Sequence, residues 1–145
     1  MVAGWVEVVF IVDSGASETV VGRYFLPHIP VKESWGSLNG VEYRCADGML
    51  IPNRGEKQFI GVSKEAAVRT MTVQVTDVAK PLLSVQRATR MGHRVVFDGP
   101  RDSFIENKLT GERIHMDEEN GVYTVTLKVW REAAAAPGFA RQVEQ

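Results

Sequence analysis

Asp13 stands at the end of an apolar run, Val8-Val9-Phe10-Ile11-Val12, and is followed by Ser14-Gly15-Ala16. A carboxylate delivered by a buried strand is held rigidly at the edge of a water-poor floor, a setting in which carboxylates work as general acids and bases. Gly15 permits a tight turn and a close backbone approach, and Ser14 supplies a hydroxyl able to brace a partner loop. One carboxylate cannot hydrolyse a peptide alone, because the acid and the base must sit about 3 Å apart and share a proton. No second Asp-Ser/Thr-Gly occurs in the 145 residues; Asp47-Gly48 and Asp98-Gly99 lack the intervening hydroxyl residue. The partner carboxylate is therefore expected from the Asp13 of a second chain, across a two-fold axis between the two loops.

Other chemistries find little support. Seventeen basic residues stand against 18 acidic ones, a net charge of -1, so no overall field favours nucleic acid or an anionic membrane. The lone Cys45 rules out an internal disulfide framework and a cysteine-based zinc site. His28, His93 and His115 are far apart and share no ligand spacing, so neither a metal nor any other cofactor is expected. The first residues lack the charged start of a signal peptide, and no apolar run approaches the roughly 20 residues of a membrane span. These features predict an intracellular, cytoplasmic protein with one folded domain.

The elements that must hold Asp13 read as strands. Val6 to Val12 is rich in β-branched residues, and its near-continuous apolar character predicts burial on both faces. Thr19 to Val21 predicts a short strand, and Gly40 to Ile51 predicts a hairpin bent at Ala46-Asp47-Gly48. Lys57 to Val62 and Val68 to Val75 predict two more strands, with Met71, Val73 and Val75 facing the core. From Leu83 to Met91 apolar residues recur at helical spacing and Gly92 follows as a stop, predicting the single short helix. After the strand Arg94 to Phe97, three strands, Ser103–Asn107, Glu112–Met116 and Gly121–Trp130, predict a C-terminal β-meander over residues 101–131, with 132–145 as a tail. Trp5, Trp35 and Trp130 are expected to be packing residues.

Two segments carry a resemblance to a known family. Phe10-Ile11-Val12-Asp13-Ser14-Gly15-Ala16-Ser17-Glu18-Thr19-Val20-Val21 resembles the catalytic segment of retropepsins, the dimeric aspartic proteases of retroviruses and retrotransposons. Some 70 residues later, Pro81-Leu82-Leu83-Ser84-Val85 and the residues on to Phe97 are similar to that family's apolar pair, helix, glycine and final strand. Leu82-Leu83-Ser84-Val85, with the later Thr110-Gly111-Glu112 and Gly121-Val122-Tyr123, is similar to copia-type retrotransposon polyproteins. The resemblance implies an all-β acid-protease fold over residues 1–100, a closed β-barrel with a flap hairpin. It implies an aspartic endopeptidase, active as a homodimer, cutting an extended polypeptide such as a retroelement polyprotein. In that reading Asp13 is the catalytic acid/base, Ser14 joins the hydrogen-bond network beneath the dyad, and Gly15 offers its carbonyl to substrate. Ala16, Ser17, the flap residues Cys45, Ala46, Asp47, Gly48 and Met49, and the pair Leu82 and Leu83 would contact substrate.

The pattern also departs from the family. Ser84 stands where many retropepsins have glycine, Val85 where many retroviral members have arginine, and Ser17 where an acidic residue is usual; the flap has no run of glycines. Two rivals therefore stay open: a non-cleaving module of the same fold that dimerises or binds peptide, and the retropepsin-like domain of ubiquitin-shuttle proteins. At single residues, Asp47-Gly48 is equally an ordinary hairpin turn, Leu82 and Leu83 are core more often than pocket, and Arg87, Arg90 and Arg94 are a solvated helix face rather than a nucleic-acid site.

Overall fold

A computed structural model of the chain describes residues 4–131. Its first strand, β1 (Trp5–Asp13), alternates: Val8, Phe10 and Val12 are buried, while Val9 is 47% exposed. The apolar run thus has one buried face rather than the two its composition predicts, because a closed barrel offers a strand a single interior. Then follow β2 (Val20–Val21), the one-turn helix α1 (Trp35–Leu38), β3 (Glu42–Arg44), β4 (Leu50–Pro52), β5 (Gly55–Ser63) and β6 (Val68–Val75). The chain continues through β7 (Leu82–Ser84), α2 (Val85–Arg90), β8 (His93–Val96), α3 (Gly99–Asp102), β9 (Phe104–Asn107), β10 (Arg113–His115), β11 (Asp117–Glu119) and β12 (Val122–Trp130). The protein is all-β in class.

Six strands close into a ring in the order β1, β7, β2, β6, β5, β12, and β12 returns to β1. The closing pair is long and antiparallel, from Trp5 opposite Trp130 to Ile11 opposite Thr124. β7 runs parallel to β1, with Leu82, Leu83 and Ser84 beside Ile11, Val12 and Asp13, and antiparallel to β2, with Leu82 beside Val20. A strand from residue 82 is thus inserted between two strands that the sequence separates by only the loop 14–19. The interior is filled by alternate residues: Phe10, Val21, Val73 and Val75 are all but sealed from solvent, as Met71, Val73 and Val75 of β6 were expected to be, though Met71 is only partly buried.

The C-terminal third divides differently from a meander. β9 and β10 pair with β8 as a separate three-stranded sheet, whereas β12 leaves them to become a barrel strand against both β1 and β5. Val125, Leu127 and Val129, each 2% exposed, drive this choice, since their period-two apolar face is what the barrel between β1 and β5 lacks. The barrel therefore draws on residues well beyond 100, and the boundary expected there cuts through one core. Residues 132–145, read as a tail, lie outside the described residues.

Smaller differences have local causes. Leu83 and Ser84 belong to β7, so the helix starts at Val85, where Ser84 caps it by accepting from the Arg87 amide. Two single-turn helices, α1 and α3, accompany it. Trp5 and Trp130 meet edge to face at 5.1 Å, but Trp35 is 74% exposed and is not a core residue. Lys57, within β5, is buried; its ammonium donates to the carbonyls of Phe25 and Leu26, and desolvation pushes it below the usual lysine range.

Candidate active site

Asp13 ends β1 half-buried, and the loop after it turns at once: the Gly15 amide donates to Asp13 Oδ1 at 2.7 Å. A Cβ on residue 15 would lie 3.3 Å from that oxygen, tighter than an ordinary contact, so glycine is what lets the backbone close on the carboxylate. Ser14, Gly15 and Ser17 are exposed, and Ala16 is half-buried.

Beneath the loop sits Ser84, the neighbour of Asp13 in the parallel register and fully buried. Its hydroxyl donates to the Ala16 carbonyl at 2.7 Å while accepting from the Arg87 amide at 3.0 Å, and its own amide donates to Thr19 Oγ1 at 3.1 Å. Ser84 thus joins the start of α2 to the middle of the loop through its hydroxyl, and to the loop's far end through its backbone amide. The sequence motifs assign Ser84 no bracing role; the signal that could have found it is the N-cap preference for serine immediately before a helix.

Leu82 bridges β1 and β2 and is partly buried, while Leu83 is in the core cluster. A cavity of about 310 Å³ borders Glu18, Thr19 and Ser84 on one wall and is floored by Leu83, Ile105 and Val125; Asp13 does not line it. Leu83 thus belongs to the core cluster and also borders the cavity.

The hairpin expected over Gly40 to Ile51 forms as β3 and β4, in register from Glu42 opposite Pro52 to Arg44 opposite Leu50. Its bend is set by the Cys45 amide donating to the Met49 carbonyl and the Gly48 amide to the Cys45 carbonyl, with Gly48 at φ +87°. The Asp47 carboxylate is spent inside the turn, accepting from the Met49 amide at 2.9 Å. Ala46, Asp47, Gly48 and Met49 are exposed, and Met49 and Leu50 present apolar side chains at 62% and 47% exposure.

The hairpin is tied to the Asp13 loop by residues that the sequence did not single out. The Tyr43 hydroxyl, from β3, donates to the Glu18 carboxylate and accepts from Asn53 Nδ2 at 2.9 Å. Burial, then the hydrogen bond and charge of Glu18, push the phenol well above its usual range, so it stays a neutral donor. Asn53 is itself buried and fully used: its amide also donates to Gln74 Oε1, and its carbonyl accepts from Ser34 Oγ and the Gly55 amide. No pattern in the sequence marks such a chain, because its members are scattered over 57 positions from Glu18 to Gln74 and meet only in the fold.

Among the described residues no group of three or more His, Cys, Asp or Glu could hold a metal ion, and no helix is long and apolar enough to cross a membrane. No family model, curated protein or solved structure matches the chain.

Proposed function

We propose that this chain is one protomer of a homodimeric, retropepsin-like aspartic endopeptidase whose reacting groups are the two Asp13 carboxylates. The observation that carries the reading is the register of Asp13 beside Ser84, with the loop 14–19 wrapped over an inserted strand and braced from below. That arrangement fixes a carboxylate at a strand end and leaves Ser14 and Gly15 exposed for a partner and a substrate backbone.

In the reaction, one ionised Asp13 takes a proton from a water as its oxygen attacks the scissile carbonyl. The other, protonated, donates to the carbonyl oxygen, giving a gem-diol; as the C–N bond breaks, the first carboxyl passes the water's proton to the leaving amine and a diol hydroxyl returns a proton to the second, restoring the dyad. The scheme needs one proton shared by the two carboxyl groups, one acting as base while the other acts as acid. Extended polypeptide is the substrate class, held by β-type main-chain hydrogen bonds beneath the hairpins, with the exposed Met49 and Leu50 as apolar cover. A retroelement polyprotein is the expected source of that polypeptide. No cofactor enters this scheme.

The test is peptide-library cleavage at mildly acidic pH by the wild type and by Asp13→Asn, with a statine-type inhibitor as a second arm. Cleavage that is inhibited and lost in Asp13→Asn is the expected result. Dimers that bind peptide and never cut it would favour the non-cleaving module.

A further inference from the structure

We infer that Tyr43, backed by Asn53, is a positioning residue that latches the hairpin of its own chain to the loop carrying Asp13. The inference rests on the proposed active site and adds to it a device setting where the hairpin sits before substrate arrives.

The Tyr43 hydroxyl has one proton to give, and the direction in which it is given is fixed by its neighbours. Asn53 Nδ2 donates to the phenol oxygen, so that oxygen is already an acceptor and its proton goes to the Glu18 carboxylate. Asn53 cannot swing away, because its carbonyl holds Ser34 Oγ at 2.9 Å and the Gly55 amide at 2.8 Å, and its amide holds Gln74. Gly36 leaves no slack either: a Cβ there would lie 2.4 Å from Asn53 Nδ2. Asn53, buried and fully satisfied in the short link between β4 and β5, thus orients a half-buried phenol in β3, which in turn grips a carboxylate five residues past Asp13.

β3 and β4 have no strand neighbours other than each other, so backbone pairing does not join the hairpin to the barrel. A two-stranded hairpin alone is marginally stable in water. Side-chain anchorage therefore governs its position, and the hydrogen bond to Glu18 is the link that reaches the Asp13 loop. Lifting the hairpin to admit a polypeptide requires that link to stretch or break, and restoring it returns the hairpin to one place over the loop.

The experiment measures amide hydrogen exchange over residues 42–52 in the full chain, together with KM and kcat for a cleaved peptide, in wild type, Tyr43→Phe, Glu18→Gln and Glu18→Ala. Tyr43→Phe and Glu18→Ala should speed exchange in the hairpin about tenfold and leave the barrel strands unchanged. Glu18→Gln keeps an acceptor for the phenol and should stay near wild type. In cleavage, KM should rise several-fold in the two disabled variants, with kcat within about twofold. A lost fold would abolish cleavage and speed exchange in the barrel strands as well, and Glu18→Ala, in the loop, serves if Tyr43→Phe does not fold. Hairpin exchange that is the same in wild type, Tyr43→Phe and Glu18→Ala overturns the latch. Wild type that cleaves nothing while the hairpin exchange changes as expected would overturn the protease reading and leave the latch standing.

Discussion

At Ser84 a single hydroxyl serves two elements, capping α2 and holding the Ala16 carbonyl, in a position sealed from solvent. Ser84→Ala leaves a part-buried carbonyl and a helix amide without partners, and the expected cost is about 2 kcal/mol, read as a lower urea midpoint. An unchanged midpoint would show the brace to be idle. Gly15→Ala is a different kind of change: its Cβ would press on the Asp13 carboxylate at 3.3 Å, so cleavage should fall by at least tenfold while thermal stability shifts little. Lys57 tests the interior. Its ammonium has two carbonyl partners and its stem lies in the core, so Lys57→Ala should destabilise by about 2–4 kcal/mol in denaturant titration. At this scale the sequence was legible for two turns, the one at Gly15 after Asp13 and the Asp47-Gly48 bend, each marked by local chemistry. It was silent on Lys57 and Asn53, whose burial depends on what the fold brings around them.

Strands were legible wherever apolar residues alternated over several positions, as in β6 and β12, and the hairpin was legible from its turn. What sequence periodicity could not convey was partnership: the same alternating residues of β12 suit an appended sheet as well as a barrel, and only the absence of another strand between β1 and β5 decides. Ion pairs between elements make their own prediction. Arg54, at the entry to β5, holds Asp77, past β6, with two hydrogen bonds of 2.8 Å, and Arg113 of β10 holds Glu106 of β9. Those hydrogen bonds are the main reason both carboxylates titrate below their ordinary values. A depressed folded value contributes stability that is present above the unfolded value and lost as pH falls through the folded one. Melting temperature should therefore be flat from pH 7 to about 5 and decline below about 4. The pairs are solvent-exposed, so the effect is modest and should shrink in high salt. A melting temperature that already drops between pH 7 and 5 would contradict this assignment, and would also compromise assays at mildly acidic pH.

For the whole molecule, the ring of six strands makes residues 5–13 and 122–130 mutually dependent. A chain ending at residue 121 loses Val125, Leu127 and Val129 from the core, each worth about 1.5–3 kcal/mol on burial, and should not fold, as judged by the loss of cooperative unfolding. A truncated chain that still melted cooperatively would restore a separate domain ending near residue 100. Beyond the single chain, the proposed hydrolysis belongs to a pair of chains, each giving one Asp13. The most direct measurement is the peptide-cleavage rate as a function of chain concentration, for wild type and Asp13→Asn, with sedimentation at the same concentrations and mildly acidic pH. A dimeric active site gives a rate that rises with the square of concentration where monomer dominates, becomes linear once dimer dominates, and vanishes in Asp13→Asn although that variant still dimerises. Cleavage linear in concentration by a sedimenting monomer, or undiminished in Asp13→Asn, would contradict it.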